Sequence, residues 1–402
     1  MTTNKSKSEP VLRFPGFKGE WKLQQLSELA DFRNGKAHEQ AITENGEYVV
    51  VNSRFISTEG RVLKYSDMQI APLEKGEVTM VMSDVPRGRA LAKCYFVEQD
   101  NVYSLNQRIC ALKATGSLAK FLFYRVNRNR YFLEFDSGVG QTNLRKDEVL
   151  DCPLRCPETL PEQRKIADFL TSVDDRIGQL IQKKALLEEY KKGVMQQLFT
   201  QAIRFKDDQG NDFPDWEEKK LKAIARIYDG THSTPAYTDT GVPFYSVEHL
   251  TRGSFHKTKF ISEAVFEKEN KRVKLERGDV LMTRIGDIGT SRHLDWDVRA
   301  SFYVSLALIK LQQNLMIPEF AHQSISARYF QLELWKRTIH VAFPKKINLG
   351  EIGECEIKVP SLAEQTKIAD FLSAIDRKIE AVANQITETQ TYKRGLLQQM
   401  FV

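Results

Sequence analysis

A nearly identical phrase occurs twice in this sequence, as LPEQRKIADFL at Leu160–Leu170 and as SLAEQTKIADFL at Ser361–Leu372. The segment Leu160–Phe199 aligns without a gap with Leu362–Phe401, at a constant offset of 202 residues. Of the 40 aligned positions, 17 are identical. A period this long indicates the duplication of a whole domain rather than a solenoid of short repeats.

The similarity continues on the N-terminal side of both phrases. LEKGEVTM at Leu73–Met80 corresponds to LERGDVLM at Leu275–Met282, again at an offset of 202. Further upstream, at an offset of 195, the matching pairs are Trp21 and Trp216, Leu26 and Leu221, Leu29 and Ile224, and Gly35 and Gly230. A few loop insertions explain the drift, so we predict an A–h–A′–h′ arrangement, with about 145 residues in A and about 40 in h.

Each h segment begins with the pattern of a helix start. Thr159 and Ser361 stand three residues before Glu162 and Glu364, which is the S/T-x-x-E pattern of a capping box. Pro161 falls in the first turn, where its missing N–H costs little. The pattern therefore predicts that both glutamates cap their own helices.

Apolar residues in h repeat with a period of 3.5 residues over five heptads, which predicts a coiled coil. The predicted seam consists of Ile166, Leu170, Val173, Ile177, Leu180, Leu187, Val194, Ile368, Leu372, Ile375, Ile379, Val382, Ile386 and Leu396. Lys184 and Lys191 interrupt it. The alternative is that each helix packs only on its own domain, but a helix of this length, about 60 Å, would extend beyond such a domain. Gly193 and Gly395 are predicted to allow close approach of another backbone.

The A segments have the pattern of a mixed domain. Short β-rich runs, EYVVVNSRFIS and EVTMVMSD in the first copy, correspond to GVPFYSVEHL and GDVLMTRIGDIGT in the second. Later stretches, LAKFLFYRVNRNRYFLEF and PEFAHQSISARYFQLELWKRT, have helical spacing. The predicted fold class is therefore α+β, with a sheet at the core of each A segment.

Composition is that of an ordinary globular protein, with 41% hydrophobic and 28% charged residues among 402. Five scattered cysteines indicate reduced thiols in a cytoplasm rather than a disulfide framework. The net charge of +6 permits a nucleic-acid partner without requiring one. The polar start MTTNKSKSEP and the lack of a long apolar run predict neither a signal peptide nor a membrane span.

Motifs of self-sufficient catalysis are missing from the sequence. It contains no G-x-x-x-x-G-K-[ST] loop, and SGVGQTN at Ser137–Asn143 lacks the third glycine of a dinucleotide-binding turn. No two histidines form an H-E-x-x-H pair, and Cys152 and Cys156 lack a second cysteine pair. PDWEEKK at Pro214–Lys220 lacks the strand that a nuclease motif requires. We therefore predict no catalytic residue and no metal site.

The two long segments, LPEQRKIADFLTSVDDRI…YKKGVMQQLF and SLAEQTKIADFLSAIDRKI…YKRGLLQQMF, each follow a variable α+β domain. In this respect the chain resembles the specificity (S) subunit of type I restriction–modification systems. GDVLMTRIGDIG at Gly278–Gly289 is similar to a phrase of that family's recognition domain, and GEVTMVMSDVPRG at Gly76–Gly88 is a looser version. The resemblance covers the chain from about Phe14 to Val402.

The resemblance implies a non-catalytic subunit with two similar target-recognition domains separated by two long antiparallel coiled-coil helices, a pseudo-two-fold tandem duplication. Each domain would read one half of a bipartite, asymmetric site in double-stranded DNA. The helices would set the spacing and dock two methyltransferase (M) subunits, and two restriction/translocase (R) subunits would add ATP-dependent cleavage. No cofactor is expected on this chain, whereas S-adenosylmethionine, ATP and Mg are expected on partner subunits.

The expected boundaries combine the repeat with this resemblance. They are a polar tail at 1–13, recognition domain 1 at 14–158, helix 1 at 159–200, a linker at 201–212, recognition domain 2 at 213–360 and helix 2 at 361–402.

Polar and basic residues in the loops of A and A′ are the predicted DNA contacts, because Arg, Asn and Gln can pair with base edges while Lys positions on phosphate. In A they are Asn52, Arg54, Arg87, Arg89, Gln107, Arg108, Gln141, Asn143, Arg145 and Lys146. In A′ they are Thr231, His232, Ser233, Tyr245, Glu248, His249, Arg284, Asp287, Lys345, Lys346 and Asn348. The alternative for each is a solvated loop side chain.

The run YRVNRNRYF at Tyr124–Phe132 is predicted to present Arg125, Arg128 and Arg130 to phosphate while its aromatics pack inward. Two other functions remain open from the residues alone. One is a DNA enzyme with an unrecognised active site. The other is a coiled-coil scaffold whose A domains bind protein or sugar.

Overall fold

The structure is a computed structural model that describes residues 9–401. The first eight residues of the predicted tail, and Val402 of the second predicted helix, lie outside the described residues. The chain forms two compact units. One comprises the residues up to Leu180 together with those from Gln385 onward, and the other comprises Ile181–Asn384.

The first unit contains a mixed domain and parts of two long helices. Its strands are β1 (Lys22–Gln25), β2 (Ala30–Asn34), β3 (Ile42–Thr43), β4 (Tyr48–Val51), β5 (Tyr65–Ser66), β6 (Val78–Val81), β7 (Ser83–Asp84), β8 (Cys94–Phe96), β9 (Tyr103–Leu105), β10 (Ile109–Ala114), β11 (Thr142–Asn143) and β12 (Pro153–Cys156). Its short helices are α1 (Leu26–Leu29), α2 (Ser53–Ser57), α3 (Ala119–Val126), α4 (Arg130–Leu133) and α5 (Lys146–Leu150). The long helix α6 (Leu160–Phe199) begins in this unit.

A four-stranded sheet in the order β2-β10-β6-β8 is the centre of the first domain. Because side chains alternate across a strand, β10 buries Cys110 and Leu112 on one face and Ile109 and Ala111 on the other. The first face packs on α3 and α6. The second packs on residues of a smaller sheet, ordered β3-β5-β4-β9, and on Phe55 of α2. Both faces of the sheet are thus covered.

The second unit repeats this plan. Its strands are β13 (Glu217–Lys220), β14 (Ala225–Asp229), β15 (Val242–Tyr245), β16 (Lys259–Ile261), β17 (Val280–Ile285), β18 (Asp287–His293), β19 (Ser301–Phe302), β20 (Leu306–Leu311) and β21 (Glu356–Val359). Its helices are α7 (Val247–Arg252), α8 (Glu263–Asn270), α9 (Pro318–Ser326), α10 (Arg328–Arg337), α11 (Leu349–Gly353) and the first part of α12 (Leu362–Met400). The sheet order β14-β20-β17-β18 matches that of the first unit.

The two long helices run antiparallel. In the first unit, Ile166 and Leu170 near the start of α6 share a core with Leu396 and Met400 near the end of α12. In the second unit, the end of α6 contributes Leu198 to a core that contains residues from the start of α12. All fourteen predicted seam residues are buried or half-buried. The α+β class, the duplication and the coiled-coil helices are therefore confirmed.

A lysine and an aspartate form matching ion pairs between α6 and α12. Lys191 lies 2.7 Å from Asp376 in the second unit. Lys393 contacts Asp174 in the first unit. The two pairs are related by the repeat offset of 202 residues. Lys191, which interrupts the apolar pattern, is thus accommodated by a carboxylate on the facing helix.

The repeated Glu-Gln of the helix start binds the domain. The Glu162 carboxylate accepts hydrogen bonds from Arg13 Nε at 2.8 Å and from Trp21 Nε1 at 3.3 Å. In the second unit, Glu364 accepts from Arg204 Nη2 and Trp216 Nε1, both at 2.9 Å. The prediction that these glutamates act as caps is therefore wrong, because both carboxylates are buried against an arginine and a tryptophan.

The next residue, glutamine, fixes each helix to a loop of its domain. Gln163 Oε1 accepts the N–H of Leu118 at 2.9 Å, and Gln365 Oε1 accepts that of Ile317 at 3.0 Å. The expectation for Gly193 is wrong, as it is for Gly395, because a Cβ at either position would meet nothing within 4 Å. Neither glycine therefore serves close backbone approach.

Candidate nucleic-acid interface

Four loops of the first unit meet at one edge of its central sheet. Antiparallel registers place Cys110 opposite Asn34 and Ile109 opposite Val81, so β2 and β6 end where β10 begins. Segment 136–145 joins them through the β7–β11 pair. We call this surface loop edge 1, and its residues are 35–41, 82–89, 106–108 and 136–145.

The corresponding edge of the second unit is built in the same way. Asp229 pairs with Ala307 and Thr283 with Leu306, which aligns the same three strand ends. The N–H of Gly286 donates to the Lys345 carbonyl at 2.8 Å. This bond brings in the segment that precedes α11. We call this surface loop edge 2, and its residues are 230–241, 284–288, 303–305 and 338–348.

One glycine in each unit permits these loops to come together. A Cβ on Gly35 would lie 1.9 Å from the Asn106 carbonyl oxygen, and a Cβ on Gly230 would lie 2.0 Å from that of Phe302. No other residue fits such an approach. This steric requirement explains why the two glycines match in the internal alignment. In the first unit the close approach brings the loop after β2 against the residues before β10, and in the second unit it brings the loop after β14 against the residues before β20.

Most predicted contacts of the first unit are exposed on or beside loop edge 1. The exposed ones are Arg54, Arg87, Arg89, Gln107, Arg108, Gln141, Asn143, Arg145 and Lys146. Asn52 is half-buried, and its Oδ1 caps α2 by accepting the N–H of Phe55 at 2.9 Å. It lies beside the edge because the N–H of Asn106 donates to the Val51 carbonyl. Seven of the ten residues therefore lie in the segments of loop edge 1, and Asn52, Arg54 and Lys146 lie outside them.

Asp84 holds the arginine-bearing loop of loop edge 1. Its Oδ2 accepts the N–H groups of Ala90 at 2.7 Å and Leu91 at 3.1 Å. The N–H of Arg87 donates to Asp136 at 3.1 Å, which ties this loop to segment 136–145. The backbone is therefore fixed while the side chains of Arg87 and Arg89 remain in solvent.

The residues at the β7–β11 pair hold one another. Gln141 Nε2 donates to Ser83 Oγ at 2.5 Å, and Ser83 Oγ donates to Asn143 Oδ1 at 2.6 Å. Two exposed amide side chains are therefore oriented before any ligand binds. Such preorganised Asn and Gln groups can pair with adenine edges.

The second unit divides its predicted contacts into exposed and buried sets. Those exposed at loop edge 2 or beside it are His232, Ser233, Glu248, Asp287, Lys345, Lys346 and Asn348. Those buried are Thr231, Tyr245, His249 and Arg284. For these four the structure contradicts a direct contact from a solvent-exposed side chain.

One of the buried residues, Arg284, holds two segments of loop edge 2 together. Arg284 Nε donates to the Ile347 carbonyl at 3.1 Å and Nη1 to that of Val304 at 2.7 Å. Burial lowers the pKa of this guanidinium and raises the pKa of the Tyr245 hydroxyl. For Arg284 the correction is one of role, because its side chain binds the backbone of neighbouring loops instead of extending into solvent.

Asp229 and Arg272 position His232, an exposed predicted contact. Asp229 Oδ1 accepts from Arg272 Nη1 at 2.7 Å, and Oδ2 lies 2.8 Å from His232 Nε2. Burial alone raises the pKa of this carboxyl, but the hydrogen bonds from Arg272 and His232 bring it below its ordinary value. The His232 imidazole is thus held by a hydrogen bond to a charged carboxylate.

The arginine-rich run of the first unit differs from the prediction. Arg125 is 6% exposed, and its guanidinium carbon lies 4.9 Å from the centre of the Phe401 ring. Its side chain therefore packs inside the first unit, and the prediction that it faces phosphate is wrong. Arg128 and Arg130 are exposed. The helix predicted here is interrupted between α3 and α4, at residues 127–129.

The cysteines are buried thiols. Burial raises the pKa of Cys110, Cys152 and Cys355 to about 12, so these thiols stay protonated at neutral pH. Within residues 9–401, no three His, Cys, Asp or Glu side chains are placed to hold a metal ion. No helix in that range is long and apolar enough to cross a membrane.

Sequence reasoning missed two kinds of residue. The helix-binding pairs Arg13–Glu162 and Arg204–Glu364 lie 149 and 160 residues apart, which no local pattern reveals. It also missed the apolar tip of loop edge 2, where Val341 and Phe343 are 96% and 104% exposed. The short apolar run VAFP between KRTIH and KKIN was the available signal.

Comparison with known proteins agrees with this architecture. Residues 18–189 and 214–389 each match the family described as type I restriction modification DNA specificity domain. The MjaVIII specificity subunit of Methanocaldococcus jannaschii is 25% identical over 291 residues, which cover 69% of this chain and 68% of that protein. The EcoBI specificity subunit of Escherichia coli is 23% identical over 329 residues, covering 73% and 67%.

A solved structure has the same fold. The crystal structure of the type I restriction–modification S subunit from M. genitalium gives a TM-score of 0.65 at 16% identity, covering 98% of this chain and 99% of that one. The chain therefore belongs to the type I restriction–modification specificity family, whose function is the recognition of DNA sequence. The resemblance carried by the repeated phrase is confirmed.

Proposed function

We propose that each recognition domain reads one half of a bipartite, asymmetric site in double-stranded DNA through its loop edge. The observation that carries the proposal is the pairing of one scaffold with two different loop surfaces. The same three strand ends form both edges. The exposed side chains differ, with Arg87, Arg89 and Gln141 on one edge and His232 and Lys345 on the other. Two different half-sites follow from this difference.

In this proposal α6 and α12 set the spacing between the half-sites and dock two methyltransferase subunits. Exposed apolar residues on α6 support docking, because Ile181 is 48%, Leu186 58% and Tyr190 53% exposed. Tyr392 of α12 is 57% exposed. Such residues supply apolar contact area at protein interfaces.

The reactions in this proposal belong to partner subunits. Methyltransferase subunits would carry S-adenosylmethionine and methylate adenine. Two restriction subunits would use ATP and Mg for translocation and cleavage. The chain itself would contribute DNA sequence recognition and assembly, with the assembled complex in the cytoplasm.

A domain exchange tests the modular part. Residues 213–360 are replaced by the second recognition domain of a relative, and the methylome of cells that also contain the methyltransferase is sequenced. One half of the methylated sequence should change while the other half and the spacing stay the same. A change in both halves, or in neither, contradicts the proposal.

The matched control replaces residues 14–158 instead, and the opposite half should change.

The purified chain alone, incubated with DNA and S-adenosylmethionine, should transfer no methyl group until the methyltransferase is added. Methylation by the isolated chain would favour a self-contained enzyme.

A further inference from the structure

Loop edge 2 carries a closed protruding loop with an apolar tip. Ile339 and Lys346 pair as an isolated β-bridge, and the N–H of Ile339 donates to the Lys346 carbonyl at 2.8 Å. We call residues 339–346 the finger. Val341 and Phe343 at its tip are 96% and 104% exposed. Both side chains therefore extend into solvent from a base that is closed by hydrogen bonds.

The base of the finger contacts the end of β17 on one side and α10 on the other. Lys346 also pairs with Ile285 at the end of β17. Arg284 binds the carbonyl of Ile347, which is fully buried directly after the finger. On the other side, the His340 ring packs on the Trp335 ring at 4.9 Å between centres. A fixed base with an exposed ring can insert into a partner at small cost in ordering.

The fully exposed phenyl ring offers apolar surface whose burial against a partner would be favourable. The neighbours of Phe343 indicate the chemistry of that partner. Lys345 and Lys346 follow immediately and are exposed, and cations of this kind bind phosphate. An apolar point beside two cations suits a stack of bases between phosphate backbones better than the broad apolar patch of a protein surface.

We propose that Phe343 inserts as an apolar wedge between two base pairs of the half-site read by the second domain, with Lys345 and Lys346 on flanking phosphates. This inference rests on the proposed function. Partial unstacking at one step bends the duplex, and the cost of that deformation depends on the step. Phe343 therefore contributes specificity at a position where no polar side chain reads a base edge.

The first domain has no comparable ring at this place. In segment 136–145 the exposed apolar residue is Val139, at 84%, and it stands between Gly138 and Gly140. Both glycines have positive φ values, of 72° and 73°. A short aliphatic side chain between two glycines cannot fill the space between base pairs as a phenyl ring does. We therefore assign the wedge to one half-site only.

The test uses the full-length chain assembled with its methyltransferase and a duplex that contains the methylome-defined site. 2-Aminopurine, whose fluorescence rises on unstacking, is placed at successive positions of both halves. Apart from the rise at the adenines that are methylated, which a methyltransferase turns out of the stack, wild type should raise the fluorescence at one step, in the half that changes when residues 213–360 are exchanged. Phe343→Ala should abolish this rise and weaken binding about tenfold to hundredfold, as expected for the loss of one stacking contact.

Phe343→Leu should keep part of the signal, because leucine also acts as a wedge. Val139→Ala should leave the rise in the second half unchanged. If Phe343→Ala binds DNA with wild-type affinity and the same fluorescence, the wedge is refuted while DNA recognition stands. Loss of methyltransferase co-purification with unchanged DNA binding would make the finger a protein-docking site. Absence of DNA binding by wild type would refute the proposed function itself.

Discussion

The two ends of each recognition domain differ in how closely the copies agree. Where the domain meets its helix, Arg13–Glu162 and Arg204–Glu364 repeat the same ion pair at 2.8 and 2.9 Å. At the loop edges, corresponding positions carry unlike residues, such as Met82 on one side and the buried Arg284 on the other. The comparison shows that the attachment of domain to helix has kept its chemistry while the surface has changed.

The difference follows from what each region must satisfy. A carboxylate that is almost without solvent needs its cation and its N–H donor, since a lone buried charge is costly. Glu162 is 3% exposed and Glu364 is fully buried. A side chain in a solvated loop has no such requirement, so the loop edges can change without loss of the fold.

The largest effect is expected from removal of the buried glutamate that attaches each domain to its helix. Glu364→Ala leaves Arg204 and Trp216 without their acceptor and should lower the free energy of unfolding by about 3 kcal/mol. Glu162→Ala should do the same in the first unit. Urea denaturation followed by tryptophan fluorescence measures both. Arg164→Ala and Thr366→Ala, at exposed positions two residues further along, are the controls. If only one of the two substitutions lowered the free energy of unfolding, the two attachments would not be equivalent.

A pH-dependent effect of comparable size, present only in acid, is expected from the second unit. Desolvation of the His322 ring, together with the nearby charges of Arg292 and Lys191, lowers its pKa to about 3 although Asp376 opposes this. The unfolded value is 6.5, so the neutral ring stabilises the fold fully above pH 6.5, and this contribution is lost as the pH falls from 6.5 toward 3.

The expected loss is at most about 1.4 kcal/mol per pH unit across that window. Helix α3 of the first unit, AKFLFYRV, contains no histidine. Unfolding of His322→Asn between pH 7 and pH 4 should therefore show a shallower pH dependence than wild type. An identical dependence would mean that other groups determine the acid stability.

The smallest effect concerns the two glycines inside the long helices. Gly193→Ala and Gly395→Ala should each stabilise the chain by about 0.5–1 kcal/mol, because the added methyl meets nothing and alanine favours a helix. Gly35→Ala and Gly230→Ala should have the opposite sign, because their methyl groups would collide with a carbonyl oxygen. Thermal unfolding midpoints distinguish the two pairs, and equal signs would contradict the steric argument.

Periodic and repeated features were readable from the sequence, whereas features that depend on distant partners were not. The heptads located every seam residue because a 3.5-residue period leaves a visible stripe. Glu162 matched a local capping pattern, but its partners lie about 140 to 150 residues away, and no local rule reports them. Burial of Arg284 and His249 was likewise invisible, since loop residues of the same type can anchor a loop or extend into solvent.

The division of the long helices has a consequence for synthesis of the protein. The core of the first unit contains Leu396 and Met400, and the backbone of Leu12 bonds to that of Gln399 at 2.9 Å. During synthesis on a ribosome, the core of residues 10–180 is therefore completed only after some 200 further residues have been made. The second unit uses α6, which is already available, so the domain that is made first should be the last to finish folding.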